Sequence, residues 1–218
     1  MFRRLSVLFY LCLLFLIAGG GSAYPQQGRS FGPIGLMRLV SMKPVQEELG
    51  IEDDSIAIAE IRTLRDSMVQ EMKESYQNTK KNGTLPKVDP FSKLSAKYDE
   101  KLVPHLKAEQ LARLKQISWQ DEGPRVLLNT EVQENLKLSE EQKNKLMAVH
   151  QQFEEKQRER YKEMRAKTLT GDKIKETFDK VVAEWNEQSS QVLSDDQRKQ
   201  LEQLLGKPFS LSSSTEKP

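Results

Sequence analysis

Cysteine is almost missing from this chain of 218 residues: the single one, Cys12, lies inside an apolar N-terminal run. With no second cysteine there is no disulfide framework, and thiol nucleophiles, redox pairs and zinc thiolates have no donor beyond that run. Histidine is limited to His105 and His150, aromatic residues make up 7%, and the formal net charge is only +2. A mean hydropathy of -0.66 with 30% charged residues excludes a protein of many membrane spans. A net charge near zero supplies no long-range field for nucleic acid or an anionic membrane. Also absent are a Gly-rich phosphate loop, an HExxH pair and a Ser/His/Asp constellation. These absences point away from enzymes and from bound cofactors.

The apolar run itself has the build of a secretory signal. Arg3-Arg4 precede it, Leu5 to Ala18 form its hydrophobic stretch, and Gly19-Gly20-Gly21-Ser22-Ala23 follow, predicting cleavage after Ala23. The stretch is shorter than the roughly 20 residues a span requires, so no membrane insertion is expected after cleavage. Cys12 does not stand at the cleavage point, where a lipoprotein would need it. Residues 1–23 remove two arginines and no acid, which leaves basic and acidic side chains balanced. The expected location is periplasmic or secreted, in a bacterium; Asn82-Gly83-Thr84 is then a chance sequon.

Residues 24–35 read as a flexible, polar lead-in and residues 210–218 as a disordered, Ser-rich tail. Between them the chain resembles itself at an offset of 87. Val45-Gln46-Glu47-x-Leu49-x-Ile51 falls on Val132-Gln133-Glu134-x-Leu136-x-Leu138. The same offset sets Phe91 on Phe178, Tyr98 on Trp185, Leu106 on Leu193, Gln110 on Gln197 and Leu114 on Leu201. A shared heptad rhythm would match apolar positions, but not Gln on Gln and aromatic on aromatic. The expected organisation is therefore two tandem repeats, 36–122 and 123–209.

Within each repeat the periodicity is that of helices and no segment alternates like a strand. The expected fold is all-α, an elongated bundle or cradle of two four-helix-like repeats. In the first, a short helix from Leu36 is continued or followed after Pro44, with Val126 to Leu136 as its counterpart. A long helix then carries Ile58, Ile61, Leu64, Met68, Met72 and Tyr76 as one apolar stripe. In the second repeat the stripe Leu146, Val149, Phe153 breaks before Tyr161 and Met164. The charged stretch between, with pairs such as Glu154 and Arg158, predicts a helix that persists while largely solvated. Turns are expected at Lys80-Lys81-Asn82-Gly83 and Thr170-Gly171, with a helix start at Asp89-Pro90. Phe91 to Val103 and Ile174 to Val192 form third helices; Lys107 to Trp119 and Asp195 to Leu205 form fourth ones.

Two segments share a five-residue pattern. Leu138-Ser139-Glu140-Glu141-Gln142 and Leu193-Ser194-Asp195-Asp196-Gln197 both read Leu-Ser-acid-acid-Gln. This is the chemistry of a helix start: the Ser hydroxyl accepts from a first-turn amide, the acids face the positive helix end, and Gln reaches back to the Ser amide. Such a start contributes about 1 to 2 kcal/mol and asks for no catalytic role. Capping accounts for neither the preceding leucines nor the pairing of the motifs. At these residues the chain resembles the periplasmic Spy/CpxP family, whose hallmark is LTxxQ and which includes ZraP-like zinc-binding relatives. Leu138, Ser139 and Gln142 match one motif and Leu193, Ser194 and Gln197 the other. In the first repeat Leu106 and Gln110 keep the outer positions without the hydroxyl, while Ile51 to Ser55 keeps neither Ser nor Gln at its place. The resemblance implies four-helix protomers that pair into a concave dimer; two in one chain would make a monomeric pseudo-dimer, or a homodimer if each repeat seeks a partner in trans.

It also implies function: an ATP-independent holdase, or envelope-stress module, holding unfolded or envelope proteins through weak, exchanging contacts. Two rivals stand beside it. A metal-responsive sensor or buffer would draw on His105, His150 and the methionines Met37, Met42, Met68, Met72, Met147 and Met164. Against this, the histidines read as exposed or capping, and Met68 and Met72 as core. A structural module would instead bind an envelope partner, or assemble with itself, through the charge-striped helix from Glu140 to Lys167. Asp53-Asp54 is solvated at a helix start, and Lys80-Lys81 is too small for a nucleic-acid footprint.

Overall fold

The computed structural model describes residues 35–53, 55–82, 90–169 and 171–210. The expected signal segment 1–23, the lead-in up to residue 34, Asp54, residues 83–89, Thr170 and the tail from 211 lie outside the described residues, and Lys80 to Asn82, expected in a turn, are helical. Among the described residues the structure is all-α, with nine α-helices, two 3-10 segments and no strand. They divide into two compact units, Met1–Asp121 with Lys207–Pro218, and Glu122–Gly206.

In the first unit α1 (Leu36–Val40) and α2 (Lys43–Glu48) are separate short helices, with Pro44 in the first turn of α2, where its missing N–H costs nothing. Met37, Leu39, Val40 and Val45 are fully enclosed. Gln46 is buried beside them and donates to the Val40 carbonyl at 2.8 Å, so its amide is satisfied. Gly50 ends the turn at φ 61, a left-handed conformation suited to glycine. Ser55 then caps α3 (Ile56–Asn82) by accepting from the Ile58 amide at 3.2 Å. Ile58 and Ile61 are buried, and Leu64, Met68 and Met72 lie against the same core, but Tyr76 is 66% exposed. The apolar stripe therefore ends a turn earlier than expected.

The core is closed by Leu94, Tyr98 and Leu102 of α4 (Pro90–Leu102) and by Leu114 and Ile117 of α5 (Ala108–Glu122), all spaced for one helical face. A 3-10 segment, Val103–His105, joins them. Asp99 of α4 caps α1 from outside by accepting the Met37 amide at 2.9 Å. Burial raises its carboxyl above the usual range, against the pull of the Met37 and Leu36 amides. Gly35 leaves room for that contact: a Cβ there would stand 1.9 Å from the Ser95 hydroxyl.

Residues 207–209, expected in the second repeat, belong with the first unit. Gly206 stops the last helix at φ 67 and turns the chain away. Gln120 donates to the Lys207 carbonyl at 2.9 Å and accepts from the Phe209 amide at 2.8 Å, while Phe209 packs on the first core.

The second unit begins with the 3-10 segment Gly123–Leu128, which buries Val126 and Leu127. Asn129 caps α6 (Thr130–Asn135), accepting from Glu131 at 2.9 Å. Two long helices follow, α7 (Glu140–Arg165) and α8 (Asp172–Val192), packed along each other, and then α9 (Asp195–Leu205). Leu146, Phe153, Trp185, Leu193 and Leu201 are buried. In the expected solvated gap of α7, Glu154, Glu155, Lys156, Arg158 and Glu159 are exposed, and Gln157 and Arg160 alone continue the inner face. Gln157 and Arg160 are half-buried, the Arg160 guanidinium lies 4.5 Å from the centre of the Phe178 ring, and Tyr161 is 50% exposed. Arginine can do this because its planar, weakly hydrated head stacks on an aromatic face.

Candidate functional site

The Leu-Ser-acid-acid-Gln motifs build two helix starts that meet. Ser139 accepts from the Gln142 amide at 3.2 Å, and the Gln142 side-chain oxygen accepts from the Ser139 amide at 3.1 Å. Ser194 and Gln197 repeat the arrangement at 3.2 and 2.9 Å. Both are complete capping boxes, with Glu140 and Glu141 or Asp195 and Asp196 in the first turn.

Capping uses only the oxygen of each Gln. The Gln142 NH2 donates to the Val192 carbonyl at 2.9 Å and to the Gln197 side-chain oxygen at 2.7 Å. The Gln197 NH2 returns the contact, donating to the Leu136 carbonyl and to the Gln142 oxygen, both at 3.2 Å. Each amide therefore closes its own helix start and ties it to the backbone leading into the other. Leu138 and Leu193 are buried at 6% and 4% exposure, which explains the leucine that capping left over. The starts of α7 and α9 are locked together across 55 residues of sequence.

In the first unit, Gln110 keeps half of this pattern. Its oxygen accepts from the Lys107 amide at 3.0 Å and its NH2 donates to the Leu49 carbonyl at 3.0 Å. Leu106 lies partly buried on the core. There is no second glutamine, because α3 is capped by Ser55, which stands at the place of Gln142 in the 87-residue offset.

Next to the interlock, α7 and α8 form an open groove of about 530 Å³. Ala148, Val149 and Val192 give it apolar surface, while Gln152, Gln188 and Gln191 supply amides and Gln142, engaged in the interlock, closes one end. Its two charged residues, Glu141 and Lys145, pair at 2.7 Å, and that pairing holds the Glu141 carboxyl below the usual range. The chemistry on offer is neutral hydrogen bonding around a small apolar surface, which suits amide-bearing ligands.

The residues considered for a metal are dispersed. His105 lies half-buried in the first unit and His150 in the second. Met37 is enclosed in the first core, with Met42, Met68 and Met72 against it, and Met147 is exposed on α7. Among the described residues no three His, Cys, Asp or Glu side chains converge as a metal-binding group. His150 is neither exposed nor a cap: it lies against an aromatic pair, tilted 5.5 Å from the Trp185 ring and stacked 6.3 Å from the Phe153 ring. The sequence signal for this was the spacing of His150, four residues after Leu146 and three before Phe153, which sets all three on one face. No helix among the described residues is long and apolar enough to cross a membrane. Compared with known protein families, curated proteins and solved structures, the chain matches none.

Proposed function

We propose that this is an exported, non-enzymatic helical protein that holds extended segments of unfolded polypeptides without ATP, in the manner implied by its resemblance to Spy/CpxP proteins. The two units are, on this reading, tandem copies of one ancestral repeat. The observation that carries the proposal is the glutamine-lined groove between α7 and α8, anchored at one end by Gln142. An extended chain presents unpaired backbone N–H and C=O groups and alternating small apolar side chains. Amides that both donate and accept, set around Ala148, Val149 and Val192, can satisfy such a chain without reading its sequence. Charge balance in the groove avoids selecting clients by sign.

The test is aggregation of a reduced, unfolded model client followed by light scattering without nucleotide. Substoichiometric protein, residues 24–218, should delay the rise, and Val149→Glu, which places an unpaired charge in the groove, should shorten the delay several-fold. No delay at equimolar ratio overturns the proposal.

A further inference from the structure

Phe153 of α7 and Trp185 of α8 stack with ring centres 4.0 Å apart, and His150 completes a three-ring cluster. Its Nδ1 is buried without a hydrogen-bond partner, and its Nε2 stands 3.4 Å from a Glu154 carboxylate oxygen. The 3-10 segment Gly123–Leu128 packs on both helices and brings Arg125, half-buried, to the same place. Burial disfavours the charge on Arg125, with Glu154 and Glu122 opposing. The charged groups that act on His150 are thus Arg125 from the 3-10 segment and Glu154 from α7 itself, while α8 contributes the Trp185 ring.

A neutral imidazole fits this setting as one more aromatic ring. An imidazolium does not: it would carry a buried charged N–H with no acceptor and set a second cation beside Arg125. Glu154 gives only partial relief, because its side chain is 52% exposed and screened by water. We propose that His150 is an acid-sensitive latch, whose protonation drives its ring out of the Phe153–Trp185 stack and loosens the segment Gly123–Leu128 from the α7–α8 hairpin. Burial first, and Arg125 second, push the imidazole below its ordinary 6.5, with Glu154 opposing. The sign follows: the unfolded chain takes up the proton first, so the stability His150 contributes is complete above about 6.5 and is lost as pH falls through the depressed folded value.

The latch also regulates the groove, and this clause rests on the binding reading above. Val149 and Gln152, on either side of His150 in the chain, line the groove, whose other wall is Gln188, Gln191 and Val192 of α8. Acid should therefore release a held client.

The experiment uses Trp119→Phe protein, in which Trp185 is the sole tryptophan, titrated from pH 8 to 4.5 by fluorescence and by histidine ring NMR. Trp185 emission should change with a midpoint below about 6.5 that coincides with the His150 resonance. Arg125→Gln should raise the midpoint and Glu154→Gln should lower it, each by about half a unit or more. His150→Gln should abolish the transition with far-UV circular dichroism retained. A midpoint at or above the ordinary value, a transition that survives His150→Gln, or midpoints unmoved by Arg125→Gln would overturn the latch. A parallel measurement of client retention separates the two claims: with the Trp185 titration intact, retention that ignores pH removes the groove regulation and leaves the latch, whereas no retention at any pH removes the binding reading alone.

Discussion

The two units place two of their helices at matching positions and stabilise them differently. Helix α2 runs Lys43–Glu48 and α6 runs Thr130–Asn135, while α5 starts at Ala108 and α9 at Asp195, all at the same offset of 87. Buried Gln46 donates to Val40 and Gln133 to Leu127, both at 2.8 Å; Gln110 donates to Leu49 and Gln197 to Leu136. Yet the hairpin of the first unit packs Met68 and Met72, both partly buried, against its core, where the second uses Phe153 and a polar interior. Even the ion pair across each hairpin is reversed, Glu71 with Lys97 against Lys156 with Glu184. Backbone carbonyls at helix junctions are fixed donors' targets whatever the core contains, so the glutamines that serve them recur. Side chains in the hairpins only need to fill volume, and they diverge.

The largest effects should come from the cores. Leu114 and Leu201 occupy corresponding places and are 0% and 5% exposed. Either change to Ala should cost about 2 to 5 kcal/mol. Urea unfolding followed separately by Trp119 and Trp185, each with the other tryptophan replaced by Phe, sharpens the comparison: Leu114→Ala should lower the Trp119 transition most and Leu201→Ala the Trp185 transition. Equal shifts of both reporters by either variant would mean that the units melt as one cooperative body.

Next in size is the interlock. Gln142→Ala removes bonds to Val192 and Gln197 as well as half a capping box, whereas Gln110→Ala removes bonds to Lys107 and Leu49 only. At about 1 kcal/mol per net hydrogen bond, the first should cost about 2 to 3 kcal/mol and the second about 1 to 2. A double-mutant cycle between Gln142 and Gln197 should give a coupling of about 1 kcal/mol. A coupling near zero would reduce both motifs to independent caps and erase this difference between the units.

How far these features were legible depends on the distance over which their chemistry acts. The starts at Ser139 and Ser194 could be read because a cap is settled within four residues. The all-α fold, and helices such as Ile174 to Val192 against the observed Asp172–Val192, followed from period and punctuation. The contact of Gln142 with Gln197 could not be read, since a glutamine that caps locally looks the same whether or not its NH2 finds a distant carbonyl. His150, which reads as exposed or capping, is set apart for a related reason: its surroundings are set by Trp185 and Arg125, from two other elements. Gln157 and Arg160 look solvated by composition, and only the Phe178 ring opposite shows why a cation can face inward. The segment 207–209 looked like the end of its repeat, but Gln120 draws it to the other unit.

The smallest expected effect tests the correspondence most sharply, because it involves no side-chain packing. After α2 the chain turns through Gly50 at φ 61, and after α6 through Lys137 at φ 51. The two turns share their hydrogen bonds: Ile51 donates to the Gln46 carbonyl at 2.9 Å and Leu138 to Gln133 at 3.0 Å, at the same offset. A residue with a Cβ in this conformation gives up about 1 kcal/mol relative to glycine. Lys137→Gly should therefore stabilise the second unit by up to about 1 kcal/mol, and Gly50→Ala should destabilise the first by a similar amount, although no atom stands within 4 Å of the Cβ it would add. Opposite signs of similar size, read from the Trp185 and Trp119 transitions, would mean that one backbone turn serves both units and that the sequence difference is pure conformational cost. If Lys137→Gly is destabilising instead, the lysine contributes through its side chain, and the two turns are alike in shape but not in what holds them.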